Sequence, residues 1–163
     1  MPPPPIIDPS TLDTGRILHD RDKIYKYLPQ RFEFAQLDGI IHVDTTLHHA
    51  AGIRNVRPDE WWCRGHMPGH PIFPGVLMLE CAAQLAGFVQ HEFAPFEADY
   101  FLGFGGVENC KFRGSVIPPA QIILVGRMTE ARKRRFVCDV QSYLDGEMVF
   151  EASIYGMPLK MAL

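Results

Sequence analysis

The chain has 163 residues, 47% of them hydrophobic and 21% charged, with a formal net charge of −3 and a pI near 6.1. That length fits one domain with a full core and is too short for two comfortable ones, and the mild acidity argues against nucleic acid as the main partner. No apolar run reaches the ~20 residues of a membrane-spanning helix, Met1 is followed by four prolines in place of a secretory leader, and four scattered cysteines without a C-x-x-C pair fit a reduced, cytoplasmic protein.

Pro2 to Pro5 read as extended polyproline, and the residues as far as Asp20 show no periodicity. Residues 1–20 are therefore expected to form an extended N-terminal arm ahead of a single domain over 21–163. Asp20-Arg21-Asp22-Lys23, leading into Ile24, Tyr25, Tyr27 and Leu28, predicts a short helix stopped by Pro29. Phe32 and Phe34, then Ile41 and Val43, alternate on either side of Asp38-Gly39, which predicts strands joined by a turn. A further strand is expected near Ala50 to Val56, and His48, His49 and the other scattered histidines receive no role. Trp61 and Trp62, beyond the break at Arg57-Pro58-Asp59-Glu60, are expected in the core or at a dimer contact.

The stretch Gly65-His66-Met67-Pro68-Gly69-His70-Pro71-Ile72-Phe73-Pro74-Gly75 is too rich in proline and glycine for regular structure and predicts a stiff, tightly turned loop. From Val76 to Val89 the chain is apolar apart from Glu80 and Gln84, which share one helix face, and a helix apolar nearly all round is a buried helix. An ionised carboxylate is costly to bury, so Glu80 is expected to hold a proton and to be able to donate it. Pro74-Gly75 opens this helix with free backbone N–H groups that could hold an acyl oxygen. Cys63, His66 and His70 have zinc-type side chains, but the prolines among them exclude the usual helical geometry and no fourth ligand is apparent, so no metal site is assigned.

Beyond the helix, Tyr100 to Phe112, Gln121 to Met128, Arg135 to Leu144 and Glu147 to Met157 predict four strands. In the third of these Phe136, Cys138, Val140 and Leu144 fall on one face while Asp139 and Gln141 fall on the other, as in a sheet wet on one side. Asp145-Gly146 predicts a hairpin turn. Arg132-Lys133-Arg134-Arg135 is a solvated turn or a docking point for an acidic partner. An apolar helix cannot lie outside a sheet, so the strands are expected to curl around it.

The run G-H-x-P-G-x-P-x-x-P-G-V-L-x-L-E-x-x-A-Q, from Gly65 to Gln84, resembles the signature of the FabZ-type β-hydroxyacyl-acyl-carrier-protein dehydratases. These place a catalytic histidine and glutamate fourteen positions apart, and His66 and Glu80 have that separation (80 − 66 = 14). Leu28-Pro29-Gln30-Arg31 is similar to the family's L-P-H-R segment, with Gln30 replacing histidine. Val116-Ile117-Pro118 is similar to its V-x-P turn, with Pro119-Ala120 where Gly-Asp usually follows.

The resemblance implies an α+β hot-dog fold, an antiparallel sheet wrapped around one long central helix. It also implies a homodimer or higher homo-oligomer (dimer of dimers or trimer of dimers) whose active sites take His from one chain and Glu from the other. The implied reaction is cofactor-free loss of water from a (3R)-hydroxyacyl thioester on acyl carrier protein, giving the trans-2-enoyl product. His66 would be the base, Glu80 the acid, and the Gly75 N–H would bind the thioester oxygen. The FabA type, which also isomerises the double bond, carries Asp where this chain has Glu80. Two other readings stay open, a hot-dog acyl thioesterase and a non-catalytic acyl-binding subunit.

Overall fold

The computed structural model describes residues 1–97 and 99–160. Its strands are β1 (Gly39–Asp44), β2 (His49–Val56), β3 (Tyr100–Phe112), β4 (Ala120–Arg132), β5 (Arg135–Leu144) and β6 (Glu147–Lys160). All neighbours are antiparallel, in the order β1-β2-β4-β5-β6-β3. The Asp145-Gly146 hairpin forms as the dipeptide predicts: both residues have positive φ, 50° and 84°, which a two-residue primed turn requires.

Helix α1 (Arg21–Tyr27) is capped by Asp20, whose side chain accepts from the Lys23 N–H at 3.1 Å. Helix α2 (Gly75–Phe93) lies along the inner face of the sheet. Leu77, Met78, Cys81, Leu85 and Phe88 pack there with Leu124 of β4, Phe136, Cys138 and Val140 of β5, and Phe150 and Ile154 of β6. Full burial of one such side chain contributes about 1.5–3 kcal/mol, so this seam fixes α2 against the sheet. The architecture is the hot-dog arrangement.

Two expectations need correction. Phe32–Phe34 is a 3-10 turn, not a strand; Phe32 has φ 55° and both rings are exposed. Helix α2 is not covered on every side either: Val76 is 73% exposed, and Leu79, Glu80 and Ala83 are only half-buried. Those positions follow the i, i+3, i+4, i+7 spacing of a single stripe.

The outer face is drier than the alternation in β5 predicts, because the N-terminal segment lies across it. Ile6, Ile7 and Leu12 pack on Ile41, Ala51, Ile53, Val125 and Tyr143. The Gln141 side chain holds the segment at two points, accepting from the Ile6 N–H at 2.7 Å and donating to the Pro4 carbonyl at 3.0 Å. His19 then bridges Ile40 and covers part of the β1 edge. The other edge strand, β3, pairs among the described residues only with β6.

Candidate active site

The loop ahead of α2 is held by its own backbone. Gly65 and His66 both donate to the Trp62 carbonyl, at 3.0 and 2.8 Å. Met67 and His70 exchange backbone hydrogen bonds around Pro68-Gly69, with Gly69 at φ 72°, the left-handed conformation a type II turn needs at that position. Ile72 N–H donates to the His66 carbonyl at 2.9 Å, and Phe73 N–H to the Val116 carbonyl at 2.8 Å. His66 is therefore anchored on both sides while its side chain stays exposed.

The ring of His66 is oriented by one contact, Nδ1 to the Ile72 carbonyl at 2.7 Å. A carbonyl oxygen only accepts, so Nδ1 carries the hydrogen and the neutral ring keeps its lone pair on Nε2. That tautomer presents a base on the side of the ring away from the loop.

Helix α2 begins at Gly75 with no side-chain cap. Leu77 and Met78 N–H groups reach the Pro74 carbonyl at 2.9 and 3.1 Å, leaving the Gly75 and Val76 N–H groups outside the helical ladder. Glycine is demanded here by close approach: a Cβ on Gly75 would stand 2.9 Å from Cε1 of Phe112.

Glu80 sits one turn along, half-buried. Burial pushes its carboxyl pKa above the ordinary 4.5, and a hydrogen bond from Gln84 partly offsets the rise. Gln84 is itself fully determined. Its Oε1 accepts from the Gln36 N–H at 2.8 Å, so its Nε2 has two hydrogens to give, one to the Phe34 carbonyl at 2.6 Å and one to Glu80 Oε1 at 2.7 Å. With Oε1 receiving that donor, the proton of a neutral Glu80 belongs on Oε2.

The relay continues inward. Gln36 Oε1 accepts from Nε of Arg54 at 3.2 Å. Arg54 is 2% exposed and is compensated by an ion pair to Glu60, a second contact to Asp38 at 3.7 Å, and a hydrogen bond to the Asn55 carbonyl. Glu60 also takes the indole N–H of Trp62 at 3.1 Å. Trp62 is buried edge-on against Phe73, as expected, but Trp61 is 60% exposed. Gln36, Arg54 and Glu60 carry no sequence spacing that ties them to Glu80; only the fold brings them together.

Among the described residues, no hydrogen bond joins His66 to Glu80 within the chain. Nor do Cys63, His66 and His70 gather: the only group of three or more potential ligands with atoms within 4.8 Å is His42, Asp44 and His49. The Arg132–Arg135 segment forms the β4–β5 hairpin, beside an open cavity of about 780 Å³ lined by Phe96, Tyr100, Arg132, Lys133, Arg134 and Phe136. No helix among the described residues is long and apolar enough to cross a membrane.

The FabA-like domain family matches residues 28–153. The 3-hydroxyacyl-acyl-carrier-protein dehydratase FabZ of Syntrophotalea carbinolica is 37% identical over 131 residues, 80% of this chain and 88% of the relative. The FabZ of Fusobacterium nucleatum is 34% identical over 131 residues, 80% of this chain and 91% of the relative. Among solved structures, the dehydratase heterocomplex ApeI:P from Xenorhabdus doucetiae superposes with a TM-score of 0.65 at 14% identity, covering 84% of this chain and 91% of that one. A thioesterase from Pseudomonas aeruginosa, PA1618, superposes at 0.60 and 14% identity, covering 76% and 81%. At those identities the structural likenesses speak for the hot-dog fold alone.

Proposed function

The chain belongs to the FabA-like family, in its FabZ-type branch, and on that premise we propose that it removes water from (3R)-hydroxyacyl thioesters carried by acyl carrier protein, as a step of fatty acid biosynthesis. His66 Nε2 takes the α-proton. Glu80, neutral at the start, delivers its Oε2 proton to the β-hydroxyl, which leaves as water while the α–β double bond forms and the thioester stays intact. The Gly75 N–H donates to the thioester oxygen as negative charge grows there. The observation that carries this reading is the Glu80 carboxyl itself: desolvated, and held at one oxygen by a neutral amide donor so that the other is free to give up its proton.

The same geometry calls for a second copy. Among the described residues no hydrogen bond joins His66 to Glu80 in one chain, the Val76 stripe is exposed, and β3, 13 residues long, is an edge strand. Pairing β3 with its copy would cover both features and bring His66 of one chain to Glu80 of the next. Lys133 and Arg134, exposed at the β4–β5 turn, would steer the acidic carrier. A carrier-dependent reaction and four free thiols support a cytoplasmic location.

The test follows water loss from a 3-hydroxybutyryl thioester by its enoyl absorbance. His66→Ala and Glu80→Gln should each lower kcat by about 10²–10⁴-fold, the range for a positioned acid or base. Release of free thiol without enoyl product would replace this reading with thioester hydrolysis.

A further inference from the structure

A second group of histidines and a carboxylate lies on the opposite face of the sheet. His42 and Asp44 are two apart on β1 and so project to one side, and Asp44 stands directly across from His49 on β2. That side is the outer one, since Ala50 between His49 and Ala51 belongs to the inner core and Ala51 to the outer cluster. His42 Nε2 and His49 Nε2 are 3.4 Å apart, and Asp44 Oδ2 is 3.7 Å from His49 Nε2.

Two ligand atoms bound at ~2.0–2.1 Å to a tetrahedral ion lie roughly 3.3–3.4 Å apart. The imidazole pair already has that separation, and the carboxylate oxygen is a few tenths of an ångström wide of it. The carboxylate is also pre-oriented: Oδ1 accepts from the Thr46 and Leu47 N–H groups, both at 2.8 Å, which leaves Oδ2 toward the rings. His49 is 8% exposed, so its ring is held by packing. Arg127 of β4 lies directly across from His49 of β2 and its charge opposes a cation, but its guanidinium lies 3.9 Å from Asp139 on the next strand, which shares that charge.

We propose that His42, Asp44 and His49 form a site for one divalent first-row transition ion, Zn²⁺ by ligand type and spacing, which clips the β1–β2 hairpin on the outer face of the sheet. Two imidazole nitrogens and one carboxylate oxygen fill three positions and leave the fourth to water. The site is separate from His66 and Glu80, and it ties β1 to β2.

Titration of the intact protein with Co²⁺, followed by visible absorption and then by displacement with Zn²⁺, tests it. One Co²⁺ per chain is expected, without a thiolate charge-transfer band. His42→Gln and Asp44→Asn should each weaken binding by at least about tenfold, since each removes one of three ligands. Asp44→Asn keeps the acceptor for Thr46 and Leu47, so the turn is preserved, and circular dichroism on both variants checks folding. Zn²⁺ should raise the melting temperature of wild type by more than that of His42→Gln. Cys63→Ser should bind as wild type does. Absence of a Co²⁺ spectrum, equal affinity in His42→Gln, or loss of binding in Cys63→Ser would each overturn the proposal.

Discussion

Glu80 on the inner side and Asp44 on the outer side are carboxylates in opposite electrostatic settings. Glu80 is desolvated and receives one hydrogen bond from a neutral amide, and its pKa goes up. Asp44 accepts from the Leu47 and Thr46 backbone N–H groups at a solvated turn, and its pKa goes down. Neither result follows from residue type. Burial with a single donor favours the protonated acid, whereas two backbone donors at the surface favour the anion, which suits a cation better than proton donation.

The comparison breaks most severely if the inner network is opened. Arg54→Ala would leave Glu60 without its buried cation, although Asp38 keeps Arg21 at 2.6 Å, and should lower stability by ~3–5 kcal/mol in urea melts, the range for breaking a buried pair. Next, Gln84→Leu leaves the Gln36 N–H and the Phe34 carbonyl without a partner and should cost about 1–3 kcal/mol. Because the Gln84 hydrogen bond holds the Glu80 pKa down, the same variant should move the alkaline limb of the kcat–pH profile upward. A purely structural role for Gln84 would leave that limb in place.

The smallest effect is a stability difference that grows with pH. A carboxyl whose folded pKa lies above its unfolded 4.5 binds more protons in the folded state, so its contribution is whole below pH 4.5 and is lost as pH rises through the folded value. Glu80→Gln should therefore gain on wild type in thermal melts from pH 4.5 upward. Asp44→Asn should do the reverse: the folded Asp44 pKa is depressed, so wild type gains on the variant as pH rises through that carboxyl's range.

Much of the inner site is legible in the sequence, because its pieces are contiguous. The prolines and glycines of 65–75 stiffen a loop directly ahead of an apolar helix, and Glu80 and Gln84 meet one turn apart by helical period alone. The strands β5 and β6 announce themselves by alternation and by Asp145-Gly146. The Gln36–Arg54 support for Gln84 is illegible, since those partners are 48 and 18 residues apart and meet only through packing. Phe32 and Phe34 mimic strand alternation, but the positive φ of Phe32 turns the chain instead. The outer-face packing of Ile6, Ile7 and Leu12 escapes notice because an irregular segment has no period to read. The His42, Asp44 and His49 group did have a signal, a H-x-D on one strand facing a histidine across a short turn, and it becomes visible once hairpin register is assigned.

The grip of Gln141 on Pro4 and Ile6 fixes the start of the chain on the side of the sheet that faces away from α2. A fluorescent label or an immobilising linker joined ahead of Met1 would then sit on the outer face, clear of α2. Surface-coupled measurements of carrier capture become practicable in that orientation without redesigning the molecule.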